Sequence, residues 1–96
     1  MIERWPIVTR NEPPVYPEQA RLLGIGGDVG LRLTIDEAGV VTNIGVIRSA
    51  GDEFDKAAVA MASRMEFTPA RTGDGCPARV AIEYKVRFRL GSADSP

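Results

Sequence analysis

From Ala78 to Leu90 the chain reads ARVAIEYKVRFRL, and its apolar residues recur at every second position. Val80, Ile82, Tyr84, Val86, Phe88 and Leu90 fall on one face, and Arg79, Ala81, Glu83, Lys85, Arg87 and Arg89 on the other. A period of two is that of a strand with one buried face. A helix would scatter the same apolar residues around its axis. Any fold for this chain therefore needs a sheet with an apolar layer against one side. At about 3.3 Å per residue the run would reach roughly 43 Å, against the five or six residues of an ordinary strand.

The remaining strand candidates are shorter. Val29, Leu31, Leu33 and Ile35 alternate with Gly30, Arg32 and Thr34, and Asp36-Glu37-Ala38-Gly39 forms a turn with glycine in place for a left-handed residue. Val40 to Ile47 resumes as a β-branched run, so residues 28–48 read as a hairpin. Val40, Ile44 and Val46 do not alternate cleanly with Val41 and Ile47, and a bulge near Val41 would reconcile them. Partners of eight or so residues cannot cover the long last strand, so part of its backbone is expected to stay open. Its basic residues, Arg79, Lys85, Arg87 and Arg89, allow two readings. Charge guards an exposed edge against aggregation, or the edge accepts a visiting strand by β-augmentation, with main-chain bonds giving affinity and side chains the choice of partner.

Two helices complete the pattern. Pro17 suits a first helical turn, Ala20, Leu23 and Gly24 share a face, and Gly24, Gly26 and Gly27 end the segment. Asp52 reads as the N-cap of a second helix, with Glu53 and Asp55 near the positive end of its dipole. Phe54, Ala57, Ala58, Met61, Ala62 and Met65 make one helical stripe, whose alanines allow close approach to a sheet. Residues 1–12 read as an arm, with a brief edge strand at Ile7-Val8-Thr9. There Trp5 either caps the core or pins the arm, a binding role being the weaker reading. Arg71 to Pro77 reads as a polar turn, and residues 91–96 as a tail or linker. The order helix, strand, strand, helix, strand gives an α+β fold: a small three-stranded antiparallel sheet with both helices on one face.

Chemistry is thinly supplied. The chain has no histidine and one cysteine, Cys76, which rules out a Cys–His nucleophile and an intrachain disulfide and leaves zinc without ligands. Gly24-Ile25-Gly26-Gly27 precedes a strand instead of following one, so it is not a dinucleotide loop. No catalytic residue, metal site or cofactor is assigned, and a net charge of −1 offers no general field for nucleic acid. No apolar run approaches 18 residues, so these 96 residues carry neither a membrane span nor a signal peptide, and any targeting signal is expected to lie outside them.

Seven motifs in order resemble the C-terminal domain of the TonB family: Tyr16-Pro17-x-x-Ala20; Gly24 with Gly27-x-Val29; Ile35-Asp36-x-x-Gly39-x-Val41; Arg48-Ser49-Ala50-Gly51; Phe54-Asp55-x-Ala57-Ala58; Phe67-x-Pro69-Ala70; and Phe88-Arg89-Leu90. The resemblance spans residues 13–90. It implies a periplasmic, non-enzymatic energy transducer that is coupled to an inner-membrane proton-driven motor. Such a domain binds the TonB box of outer-membrane transporters as an added strand, for uptake of siderophores, cobalamin or other scarce nutrients. It further implies that the last strand lies beside the first, with the second at the far side. The partner-binding residues it implies are Pro13, Pro14, Val15 and Tyr16, together with the edge Val80, Ala81, Ile82, Glu83, Tyr84, Lys85, Val86, Arg87 and Phe88. A glutamine often stands three residues before the motif tyrosine in the family; here that position is Pro13, which has no side-chain hydrogen bond to offer. The family's N-terminal anchor and Pro-rich spacer are absent from this sequence. The alternatives are a TonB-like module fused to an outer-membrane receptor or membrane sensor, and a homodimer joined through free sheet edges.

Overall fold

The computed structural model describes residues 2–89. In chain order it contains β1 (Ile2–Arg4), β2 (Val8–Arg10), α1 (Glu18–Leu23), β3 (Gly27–Ile35), β4 (Val41–Arg48), α2 (Asp52–Ala62), β5 (Glu66–Phe67), β6 (Ala70–Thr72), β7 (Pro77–Ala78) and β8 (Val80–Phe88). The main sheet is antiparallel in the order β4-β3-β8, so the last long strand lies beside the first and the second takes the far side. Two smaller sheets, β1-β6-β7 and β2-β5, fasten the arm to the segment after α2.

β3 is central because its period-two pattern is matched by two flanking strands and covered by a helix layer. Val29, Leu31, Leu33 and Ile35 are completely buried. Each contributes roughly 1.5–3 kcal/mol of transfer free energy. Against them α2 turns Phe54, Ala58, Met61 and Ala62, with Met65 just past its end and Ala20 of α1 in the same core. The sequence stripe on α2 is thus its buried face. The cap lies one residue earlier than Asp52: Gly51 is the N-cap. No side chain caps the helix; Asp55 instead ties down the chain that leads into it, accepting the Ala50 N–H at 3.1 Å and the Ser49 hydroxyl at 2.5 Å. Ser49 in turn accepts the Gly51 N–H at 3.1 Å. That network is the physical content of Arg48-Ser49-Ala50-Gly51 followed by Asp55.

Several sequence expectations are revised. Leu23 is 66% exposed, since α1 is only six residues long and Gly24 turns the chain away at φ 71°. Val40 points outward and Val41 packs on the core with Ile44, while Val46, opposite Leu31 on that same face, is left 42% exposed at the sheet edge. The switch at Val41 is the bulge expected near that residue: Thr34 pairs with Asn43 but Ile35 with Val41, leaving Thr42 over. A second irregularity leaves Ile47 between the Gly30–Arg48 and Leu31–Val46 pairs. The long final run is broken at Arg79. Ala78 and Pro77 belong to a hairpin with Ala70 and Arg71, so the region read as a plain turn is a small β-hairpin. β8 covers Val80–Phe88, and Leu90 lies outside the described residues. Trp5 is 59% exposed beside Ile7, Thr68 and Pro69, so it sits on the arm and not over the core.

Candidate functional site: the open edge of the last strand

β8 pairs with β3 residue for residue, from Val80–Ile35 to Phe88–Gly27, with no register shift. The expectation that its partner is too short is therefore wrong. Its backbone is open because β8 is the outermost strand, and within the described residues nothing pairs with its other side. The side-chain alternation holds: Val80, Ile82 and Tyr84 are partly buried, Val86 and Phe88 are buried, and Ala81, Glu83, Lys85, Arg87 and Arg89 are exposed.

Two contacts fix which backbone groups look outward. A Cβ placed on Gly26 would lie 2.5 Å from the Phe88 carbonyl oxygen, so that carbonyl faces β3. The Thr34 carbonyl faces the other way, accepting the Thr42 hydroxyl of β4 at 3.4 Å. Hydrogen bonding alternates along an antiparallel ladder. The backbone of Val80, Ile82, Tyr84, Val86 and Phe88 is therefore directed at β3, and that of Ala81, Glu83, Lys85 and Arg87 at the open edge. A strand laid there would meet four N–H and four C=O groups, spaced by about 6.6–6.8 Å. The outward set has its side chains on the helix-free face.

The opposite edge, β4, is also unpaired on its outer side, but it differs in kind. Its two irregularities, at Thr42 and Ile47, twist it and break the ladder, which is how natural sheets blunt an edge. β8 has no such irregularity.

Charge on the helix-free face is arranged in rows across the strands. Arg32 bonds Glu83 at 3.3 Å, and Asp28 stands opposite Arg87. Between them Lys85 faces Gly30, which has no side chain, and beyond it stands Arg48. The result is a hollow lined by Gly30, Ile47, Arg48, Glu83, Tyr84 and Lys85. Sequence reading missed this hollow, although a glycine inside a strand signals close approach or a missing side chain.

Of Pro13, Pro14, Val15 and Tyr16, it is Tyr16 that is brought against β8. Its ring meets Phe54 and Phe88 edge-on at centroid distances of 5.8 and 5.7 Å, and Phe54 and Phe88 are 4.9 Å apart. Its hydroxyl donates to the Ile25 carbonyl. Pro14 is partly buried, while Pro13 and Val15 are exposed, Val15 by 73%. Residues 2–89 contain no cluster of three or more acidic, histidine or cysteine residues able to hold a metal, and no helix long and apolar enough to cross a membrane.

With this geometry in view, the comparisons with known proteins are informative. The family model described as the Gram-negative bacterial TonB protein C-terminal matches residues 12–90. The chain belongs to the TonB C-terminal family. Protein TonB of Xanthomonas campestris pv. campestris strain B100 is 35% identical over 79 residues, covering 81% of this chain and 35% of the relative. Protein TonB of Pseudomonas aeruginosa is 34% identical over 84 residues, covering 83% of this chain and 25% of the relative. The chain thus spans about a third or less of the curated TonB relatives it matches. A solution NMR structure of the Pseudomonas aeruginosa TonB C-terminal domain superposes with a TM-score of 0.74 at 26% identity, over 90% of this chain and 87% of that one. The α+β architecture read from the sequence is that of the TonB C-terminal family.

Proposed function

We propose that this domain binds the TonB box of an outer-membrane transporter as an added strand along β8, and passes on a pull that originates in an inner-membrane, proton-driven motor. It would do so in the periplasm, in a longer protein anchored to the inner membrane, and the transported cargo would be a scarce nutrient of the siderophore or cobalamin kind. The observation that carries the reading is the edge itself: nine residues in register without a bulge, four outward donors and four outward acceptors, opposite an edge that is twice interrupted. Tyr16, set on Phe88 at one end of β8, extends the surface toward Val15, Pro14 and Pro13. The role needs no catalytic group, metal or cofactor.

The test is an NMR titration of the ¹⁵N-labelled domain with a TonB-box peptide. The amides of Ala81, Glu83, Lys85 and Arg87 should shift most, since theirs are the donors used. Lys85→Pro removes one outward donor, and should weaken binding by about 2- to 10-fold, the worth of one hydrogen bond. Tyr84→Pro removes an N–H directed at β3, and should damage the fold instead. Shifts confined to β4, or no binding at millimolar peptide, would refute the reading. A concentration-dependent dimer in sedimentation, lost in Lys85→Pro, would favour edge-to-edge self-association in its place.

A further inference from the structure

Resting on that strand-addition reading, we infer that the segment added to β8 carries a carboxylate directly opposite Lys85, and that Lys85, backed by Arg48 across Gly30, selects it. Residues opposite one another in a ladder share a face. The side chain facing Lys85 would therefore lie on the helix-free side, level with the row Arg48, Gly30, Lys85. Either side of that row, charge is already complemented within the sheet. Glu83 is bonded to Arg32, and Arg87 stands opposite Asp28. Only the Lys85 row has a cation facing no side chain at all, with a second cation behind it. Counted together, Arg32, Arg48, Lys85 and Arg87 are set against Asp28 and Glu83, so this patch is cationic within a chain whose net charge is −1.

The position is also open to a carboxylate. Lys85 is exposed, and the hollow over Gly30 has room for the visiting side chain to approach both cations. A basic residue at that position of the visitor would meet Lys85 at cross-strand distance with Arg48 behind it, which is unfavourable. An acidic residue one place along would fall on the helix side, against Ile82, Tyr84 and Val86, where a charge would lose its water. The site therefore discriminates position as well as sign, and sets the register of the added strand.

The test uses two nine-residue peptides, acetylated and amidated, of alternating threonine and valine with threonine at the ends. They differ only at the central residue, glutamate or glutamine. Affinity is read from shifts of the Ala81 to Arg87 amides, and register from a spin label at one peptide end. The glutamate peptide should bind roughly two- to fivefold more tightly at low salt, the range of cross-strand ion pairs. The difference should shrink in 0.5 M NaCl, shrink in Lys85→Gln, where Arg48 alone remains, and vanish when Arg48→Gln is added to it. Spin-label broadening should place the glutamate beside Lys85. Equal affinity for both peptides, or a difference undiminished in Lys85→Gln, overturns the inference and leaves strand addition standing. If neither peptide moves the edge amides, strand addition falls and the inference falls with it.

Discussion

Gly39→Ala should be one of the most damaging small substitutions in this domain, because it strikes a place where two backbones meet. Gly39 sits at φ +84°, and a Cβ there would lie 2.0 Å from the Phe67 carbonyl oxygen and 3.0 Å from its carbon. Neither atom belongs to a side chain that can swing aside. The Gly39 carbonyl also accepts the Phe67 N–H at 3.1 Å, so moving the strands apart breaks that bond. The left-handed conformation costs a non-glycine residue about 1–2 kcal/mol, and the lost hydrogen bond about 0.5–1.5 kcal/mol. Displacing β5 from the hairpin tip brings the loss to about 2–4 kcal/mol. A domain of this size holds roughly 5–14 kcal/mol in all. At an m value of about 1–1.5 kcal/mol/M in urea, the midpoint should fall by about 1.3–4 M. Gly24 is the control: it has φ +71°, but nothing lies within 4 Å of a Cβ built on it. Gly24→Ala should therefore lose no more than about 1 kcal/mol, because the stiffer unfolded chain offsets part of the conformational cost. Equal midpoint shifts for the two variants, or a loss below about 1 kcal/mol at Gly39, would refute the claim that backbone contact decides the difference.

Tyr16→Phe removes the hydroxyl bonded to the Ile25 carbonyl but keeps both edge-on ring contacts. It should cost about 1 kcal/mol, and Tyr16→Ala about 3–5 kcal/mol, both measurable by chemical denaturation. Asp74, at the tip of the β6–β7 hairpin, has its carboxyl held below the usual carboxylate value of 3.8 by the Thr72 hydroxyl first and the Cys76 backbone second. A depressed folded pKa gives stability that is present above the unfolded value and is lost as pH falls through the folded one. The protection factors of the hairpin amides should therefore fall only at acid pH, and Thr72→Val should move the Asp74 NMR titration midpoint upward.

What was legible in the sequence is what one strong periodicity carries. The alternation of β3 and β8, the stripe of α2 and the helix-ending Gly24 each follow from a repeat or a single conformational demand, and all stand in the structure. The faces of β4 were legible in part: broken alternation pointed to the bulge near Val41, but not to the second irregularity at Ile47, which one extra residue leaves without a compositional mark. The β6–β7 hairpin was hidden for a related reason. Its strands are two and three residues long, too short for any period, and are held by pairing with β1 of the distant arm. At the edge, alternation identified the exposed side chains but not which amides face outward. That depends on how β3 divides its hydrogen bonds between two neighbours, a property of the assembled sheet. Lys85 looked like one basic residue among four until its row was visible, with Gly30 opposite.

The unbroken register between β3 and β8 also has a mechanical meaning. A tug along the axis of β8 loads all nine of its pairs side by side, in shear, so no single pair bears the whole strain. A pull across the sheet would open the same pairs one after another, like a zip. A strand added in line with β8 inherits the stronger of these two geometries, and would hold against an axial pull while still peeling away from one end when the load is gone.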